Sequence, residues 1–164
     1  MIKPVFIRTG IYVAIGSNLP GLYGSPLQNC QKSVEILNQH HIKVTKNSSW
    51  YQTVAEPDPT MAPYINGVVE VETDFQPQQL LNQLLRIEEL FGRVRKKRND
   101  PRCLDLDLLA YNQLVIKESF LELPHPRISS RIFVLKPWND INPLWTHPIL
   151  GKTVREMLAD CQNN

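Results

Sequence analysis

Ile11 to Ser17, IYVAIGS, is an apolar run rich in β-branched residues that passes through Gly16 into the loop NLPGLYGSP. Such a run predicts a central β-strand entering a loop. From Pro26 to Gln39 the apolar period lengthens. Leu27, Val34, Ile36 and Leu37 mark a helix face, with Ser25 as N-cap and Pro26 at the first helical position, where its missing N–H costs nothing. Ile42 to Thr53 and Tyr64 to Thr73 return to strand character, the second with Val69, Val71 and Thr73 alternating against Glu70 and Glu72. Between them runs VAEPDPTMAP, proline-rich and long for a hairpin, the kind of loop that more often carries function than merely connects. Pro77 to Phe91 has the clearest helical period, with Leu80, Leu81, Leu84, Leu85, Ile87 and Phe91 on its apolar face and Gly92 ending it. Leu104 to Ala110 is a further strand.

The order β-α-β-β-α-β predicts an α+β fold of the ferredoxin-like type, an antiparallel sheet with helices on one face. The last third, with LPHPRISSRIF and a helix near Thr153 to Ala159, forms an appended C-terminal lobe. No internal repeat or low-complexity tract interrupts this order, and 164 residues fit one domain spanning 1–164. A chain of this size buries roughly 70% of its unfolded surface and needs no covalent staple. Cys30, Cys103 and Cys161 are widely spaced and odd in number, which suggests neither a disulfide framework nor a thiolate zinc site. With no signal-peptide pattern at the N-terminus and no run near the ~18 apolar residues of a membrane span, the expectation is a cytoplasmic protein without membrane contact.

Charge changes the picture locally. Arg93 to Arg102 holds six cations against Asp100 alone, in a chain whose total is only +2, so the remainder is net acidic. A compact basic cluster on a near-neutral protein suits a small polyanion such as a nucleotide better than a long nucleic-acid track. A solvated helix end, complementing the dipole, is the plainer reading.

The next segment weighs against that plainer reading. In LDLDLL, residues two apart share a face, so Asp105 and Asp107 point one way while Leu104, Leu106 and Leu108 point the other. Two carboxylates roughly 7 Å apart repel, and are accommodated together when a hard cation, partly fed by substrate oxygens, lies between them. An ordinary half-exposed strand with its polar residues outward is the alternative. Arg102 three residues away, with Arg93 and Arg95 upstream, places guanidinium forks beside the pair and suggests Mg²⁺ and phosphate in one place. No GxxxxGK[ST] loop is present, so side chains and metal must cradle any phosphate. Tyr64, Asn66 and Phe133 offer rings and an amide edge suited to a flat heterocycle, although each alone reads equally as core or turn. His125, flanked by prolines, is either a phosphate donor in a rigid loop or a structural histidine.

Six ordered blocks, AIGSNL, SSWYQT, YINGVVEVET, IEELFGRVR, PRCLDLDLLAY and LPHPRISSRIFVLKP, together resemble the 6-hydroxymethyl-7,8-dihydropterin pyrophosphokinase family of folate biosynthesis, over nearly the full length. The resemblance implies transfer of a pyrophosphoryl group from ATP to the pterin hydroxymethyl, giving AMP. It implies that Asp105 and Asp107 ligate two Mg²⁺ ions, and that Glu88, Arg93, Arg95, Arg98, Arg102, His125 and Arg131 serve the ATP side. Gly16, Thr53, Tyr64, Asn66, Asp105 and Phe133 fall where the family holds the pterin. Arg93, Arg102 and Asp107 are the implied catalytic groups, with Asp107 or a metal-bound oxygen taking the hydroxymethyl proton. The expected partners are ATP and the pterin, with no nucleic acid, and the expected state is a monomer.

Many family members carry a tryptophan and a glycine before the signature arginine. This chain has KRNDPR there, one residue shorter and with neither, so that Arg98 stands as the substitute lid residue. Leu85 and Glu122 stand where other members contact adenosine. Two alternatives come from other classes. One is a ferredoxin-like RNA-binding module, opposed by the missing partner motif and by Glu70 and Glu72. The other is a pterin- or nucleotide-binding relative without catalysis.

Overall fold

The computed structural model describes residues 9–54, 60, 62–92 and 102–163. Strand β1 (Ile11–Ser17) sits inside a five-stranded sheet, which is why it is apolar on both faces. Helix α1 (Pro26–Gln39) follows, then β2 (Lys43–Asn47), β3 (Tyr51–Thr53), β4 (Tyr64–Glu72), α2 (Pro77–Leu90) and β5 (Asp105–Tyr111). The sheet runs β2, β4, β1, β5, with β3 also paired to β4. Both neighbours of β1 are antiparallel to it, as the ferredoxin-like expectation requires. A small hairpin, β6 (Ile116–Lys117) and β7 (Glu122–Leu123), leads to a 3₁₀ turn at Ile128–Ser130, helix α3 (Ile132–Ile141) and helix α4 (Val154–Gln162).

Local chemistry sets the helix starts. The Ser25 hydroxyl accepts the Gln28 N–H at 3.2 Å while the Gln28 side chain accepts the Ser25 N–H at 2.8 Å, a reciprocal cap that satisfies two otherwise orphaned donors. Thr153 and Glu156 repeat the arrangement at α4.

The expected strand over Ile42 to Thr53 is two strands. At Ser48 the side-chain hydroxyl, rather than a main-chain carbonyl, accepts the Val68 N–H at 2.9 Å. The Trp50 ring lies across Gly67, so that a Cβ there would stand 2.5 Å from it. A side chain occupying a ladder position and a ring laid over the neighbouring strand both interrupt regular pairing.

Two cores occupy opposite faces of the sheet. Ile11, Val13 and Ile15 of β1 join Leu104, Leu106 and Leu108 beneath α1 and α2, with Leu37, Leu80, Leu84 and Ile87. Each such side chain contributes roughly 1.5–3 kcal/mol on burial. Tyr12, Val68, Leu109 and Ala110 turn the other way, against Val134, Leu135, Trp138, Trp145 and Met157 of the C-terminal lobe. A register shift makes this possible: Val13 faces Leu108 and Tyr12 faces Ala110, so Leu109 is the extra residue of a bulge. The Tyr12 hydroxyl donates to Glu70 Oε1 at 2.7 Å and accepts from Asn142 Nδ2 at 2.8 Å, tying the end of α3 to the sheet. The appended lobe therefore covers the second face, but only over one half.

The three cysteines are free. No helix among the described residues is long and apolar enough to cross a membrane.

Candidate active site

The uncovered half of the second face is the floor of a cleft of about 950 Å³. Its floor follows from pairing. Asp105 of β5 faces Gly16 of β1, which faces Asn66 of β4, and one step along the strands Asp107 faces Ala14, which faces Val68. The two aspartates share this face while Leu104, Leu106 and Leu108 fill the core behind, as the period-two pattern requires. Residues without bulk lie between carboxylates and amide. A Cβ on Gly16 would come 3.1 Å from Asn66 Oδ1, so glycine keeps the middle of the floor flat.

One end of the cleft carries the amide. Asn66 Nδ2 donates to Thr53 Oγ1 at 2.6 Å, which fixes the amide plane beside Tyr64. The opposite wall is the start of α3, where the Arg131 guanidinium lies 5.5 Å from the Phe133 ring centroid, a cation–π contact.

The other end carries charge. Arg102 Nη1 lies 3.2 Å from Asp105 Oδ2, both side chains about 23% exposed. The backbone of Arg102 is held by Asn18, itself almost fully buried. Asn18 Oδ1 accepts the Arg102 N–H at 2.8 Å, the Asn18 N–H donates to the Arg102 carbonyl at 3.0 Å, and Asn18 Nδ2 reaches the Ala62 carbonyl at 3.3 Å. Asn18 thus joins the end of β1, the approach to β5 and the approach to β4.

His125 sits behind the arginine wall. Burial, then the Arg131 and Arg127 guanidinium groups, push its imidazole down to about 4, with Asp105 pulling weakly the other way. It is neutral at pH 7. Because Nδ1 accepts the Arg127 N–H at 3.3 Å, the ring proton is on Nε2.

The cleft brings together Gly16, Thr53, Tyr64, Asn66, Arg102, Asp105, Asp107, Arg131 and Phe133 from the sequence reading. Arg93, Arg95 and Arg98 lie outside the described residues. Glu88 is not among the residues that line the cleft. It is 2% exposed and its carboxylate accepts the Leu106 N–H at 2.8 Å, so it faces β5 and not the cleft. Asn18, Arg127 and Ser130 were missed. The GSNL block contains Asn18, but nothing in its spacing shows that its amide reaches Arg102. Likewise, no period along PHPRISSR tells that both of its arginines turn toward the cleft.

Among the described residues no three His, Cys, Asp or Glu side chains converge to cage a metal. Two oxygen-donor carboxylates on one face nevertheless suit Mg²⁺, which is commonly bound by one or two carboxylates with water and substrate phosphate filling the remaining positions.

A family model described as 7,8-dihydro-6-hydroxymethylpterin-pyrophosphokinase matches residues 12–143. The chain is 38% identical over 155 residues to the 2-amino-4-hydroxy-6-hydroxymethyldihydropteridine pyrophosphokinase of Synechocystis sp., covering 93% of this chain and 77% of that one. It is also 38% identical over 131 residues to the Bacillus subtilis protein of the same name, covering 79% of this chain and 76% of the relative. The Dictyostelium discoideum folic acid synthesis protein FOL1 is 36% identical over 153 residues, 93% of this chain, yet the chain spans only 22% of that longer protein. Among solved structures, Plasmodium falciparum HPPK-DHPS superposes with a TM-score of 0.73 at 14% identity, over 93% of this chain and 43% of the other, which is a likeness of fold.

Proposed function

The chain belongs to the 7,8-dihydro-6-hydroxymethylpterin-pyrophosphokinase family, whose members transfer pyrophosphate from ATP to hydroxymethyldihydropterin, and on that premise we propose how its cleft divides the work. The pterin lies on the flat floor over Gly16, its edge read by Asn66 and Thr53 and its ring held between Tyr64 and Phe133. The Asn66 amide offers a donor and an acceptor side by side, the pattern a pterin edge presents in return. The polyphosphate lies toward Arg102, Arg127 and Arg131; Arg93, Arg95 and Arg98, which the family resemblance assigns to ATP, lie outside the described residues.

Asp105 and Asp107 would hold the Mg²⁺ that enters with ATP, and the metal would supply charge neutralisation on the phosphate oxygens. The protein's share is position and charge. The sheet register sets the aspartates one strand away from Gly16 and Ala14, so the nucleotide's reacting phosphorus and the pterin hydroxymethyl meet over adjacent strands. Arg102, already paired with Asp105, carries positive charge to the bridging and departing oxygens as AMP leaves. Asp107, which lines the same cleft, is the protein's own candidate to take the hydroxymethyl proton. Neutral His125 stands behind this wall, where its Nδ1 accepts the Arg127 N–H and steadies the loop that presents that arginine.

One observation carries this reading: the carboxylate pair and the Asn66–Thr53 amide site share a single open face, separated by one glycine-bearing strand. The test is direct. Purified protein with ATP, Mg²⁺ and 6-hydroxymethyl-7,8-dihydropterin is expected to release AMP, and Asp105→Ala or Asp107→Ala to lower the rate by at least a thousandfold with folding intact by circular dichroism. Wild-type protein that binds the pterin but releases no AMP would leave a binding protein without catalysis. Half-coverage by α3 and α4 of the sheet face that RNA-binding modules use counts against that alternative.

A further inference from the structure

Between the two cleft aspartates stands Leu106, and its backbone N–H does not go unpartnered. Strand β5 lies at the end of the sheet order, and the carboxylate of Glu88, eighteen residues earlier on α2, accepts that N–H at 2.8 Å. Glu88 is 2% exposed, on the side of the sheet away from the cleft. A buried carboxylate is costly unless hydrogen-bonded, and this buried bond satisfies a backbone donor that no neighbouring strand pairs.

We propose that Glu88 is a positioning residue: by gripping the Leu106 amide from behind, it holds the β5 backbone so that Asp105 and Asp107 project into the cleft at a fixed separation. This rests on the pyrophosphokinase reading of the cleft. The bond lies within one residue of each aspartate, so an edge strand that slipped or twisted at Leu106 would turn both carboxylates at once. Helix α2 is anchored by Leu80, Leu84 and Ile87 in the first core, which gives the grip a rigid base. The role depends on reach. A carboxylate one methylene shorter keeps its charge but falls short of the amide, whereas a glutamine loses the charge and keeps an oxygen at the same distance.

The pair Glu88→Asp and Glu88→Gln therefore separates positioning from charge and from nucleotide contact. In the ligand-free protein, hydrogen exchange at the Leu106 amide is expected to speed up roughly tenfold or more in Glu88→Asp and to stay near wild type in Glu88→Gln. Mn²⁺ binding in the presence of a non-hydrolysable ATP analogue, read by EPR, is expected to weaken about tenfold in Glu88→Asp and less than threefold in Glu88→Gln. The preference for ATP over GTP is expected to be unchanged in both. Glu88→Gln as damaging as Glu88→Asp would overturn the proposal, as would unchanged Leu106 exchange in Glu88→Asp or a shifted ATP-over-GTP preference with metal affinity intact. If Glu88→Asp does not fold, Glu88→Gln decides alone: wild-type exchange and metal affinity support the grip, and a tenfold loss of either refutes it. Leu106 exchange needs no turnover, so an inactive wild-type protein would sink the pyrophosphokinase reading without touching this bond.

Discussion

Arg127 shows what one side chain adds that no sequence period reveals. It lines the cleft, and its backbone N–H donates to His125 while its guanidinium helps keep that imidazole neutral. With the polyphosphate placed as proposed, this exposed arginine would contribute a charge-assisted hydrogen bond, about 1.5–3 kcal/mol. Arg127→Ala is expected to raise KM for ATP about tenfold or more, with KM for the pterin and the melting temperature unchanged, in steady-state kinetics with each substrate varied in turn. Equal changes in both KM values would instead point to a general loosening of the wall. At this scale Asp105 and Asp107 were legible because strand period alone decides which way they face. Glu88 was not, because the amide it serves lies across the fold and a match of sequence blocks cannot tell a buried carboxylate from an open one.

At the scale of elements, β1, α1 and β4 follow their patterns almost to the residue, since each combines one period with a clear start or stop signal. Helix α3 went unread for a physical reason. Pro137 lies inside it and cannot donate to the Phe133 carbonyl, a cost of about 3 kcal/mol in a helix interior, and local rules therefore favour a break. Burial of Val134, Leu135 and Trp138 against the sheet overrides that cost. The split between β2 and β3 has a similar origin, in the Trp50 ring packed over Gly67. Gly67→Ala is expected to destabilise the protein by about 1–3 kcal/mol in urea unfolding, and Trp50→Leu in the same chain to recover most of it. A Gly67→Ala protein as stable as wild type would show that the ring moves aside at little cost.

For the whole molecule, the decisive arrangement is a sheet packed against α1 and α2 on one face and covered by half on the other. The lobe that covers the half also supplies the arginine wall, Phe133 and His125, so folding and site formation are one event. Burial and two neighbouring guanidinium groups hold His125 neutral down to about 4, below its ordinary 6.5. The unfolded chain therefore binds an extra proton between those values, and stability complete above pH 6.5 is lost as pH falls toward 4. Between pH 7 and pH 5 this amounts to about 1–2 kcal/mol. Urea midpoints are expected to fall less over that range in His125→Asn than in wild type, and an equal fall in both would remove His125 from the account.

By itself the sequence determined the order of the main sheet strands and of helices α1 and α2, the sharing of one face by Asp105 and Asp107, and the family. These depend on period, caps and residue identity, which are local properties of the chain. Tertiary structure alone decided that Gly16 separates carboxylates from amide, that Asn18 clasps Arg102, that Glu88 turns to Leu106 and that the lobe stops halfway across the sheet. Those facts arise from register and from contacts between segments far apart in the chain, and no local period records them.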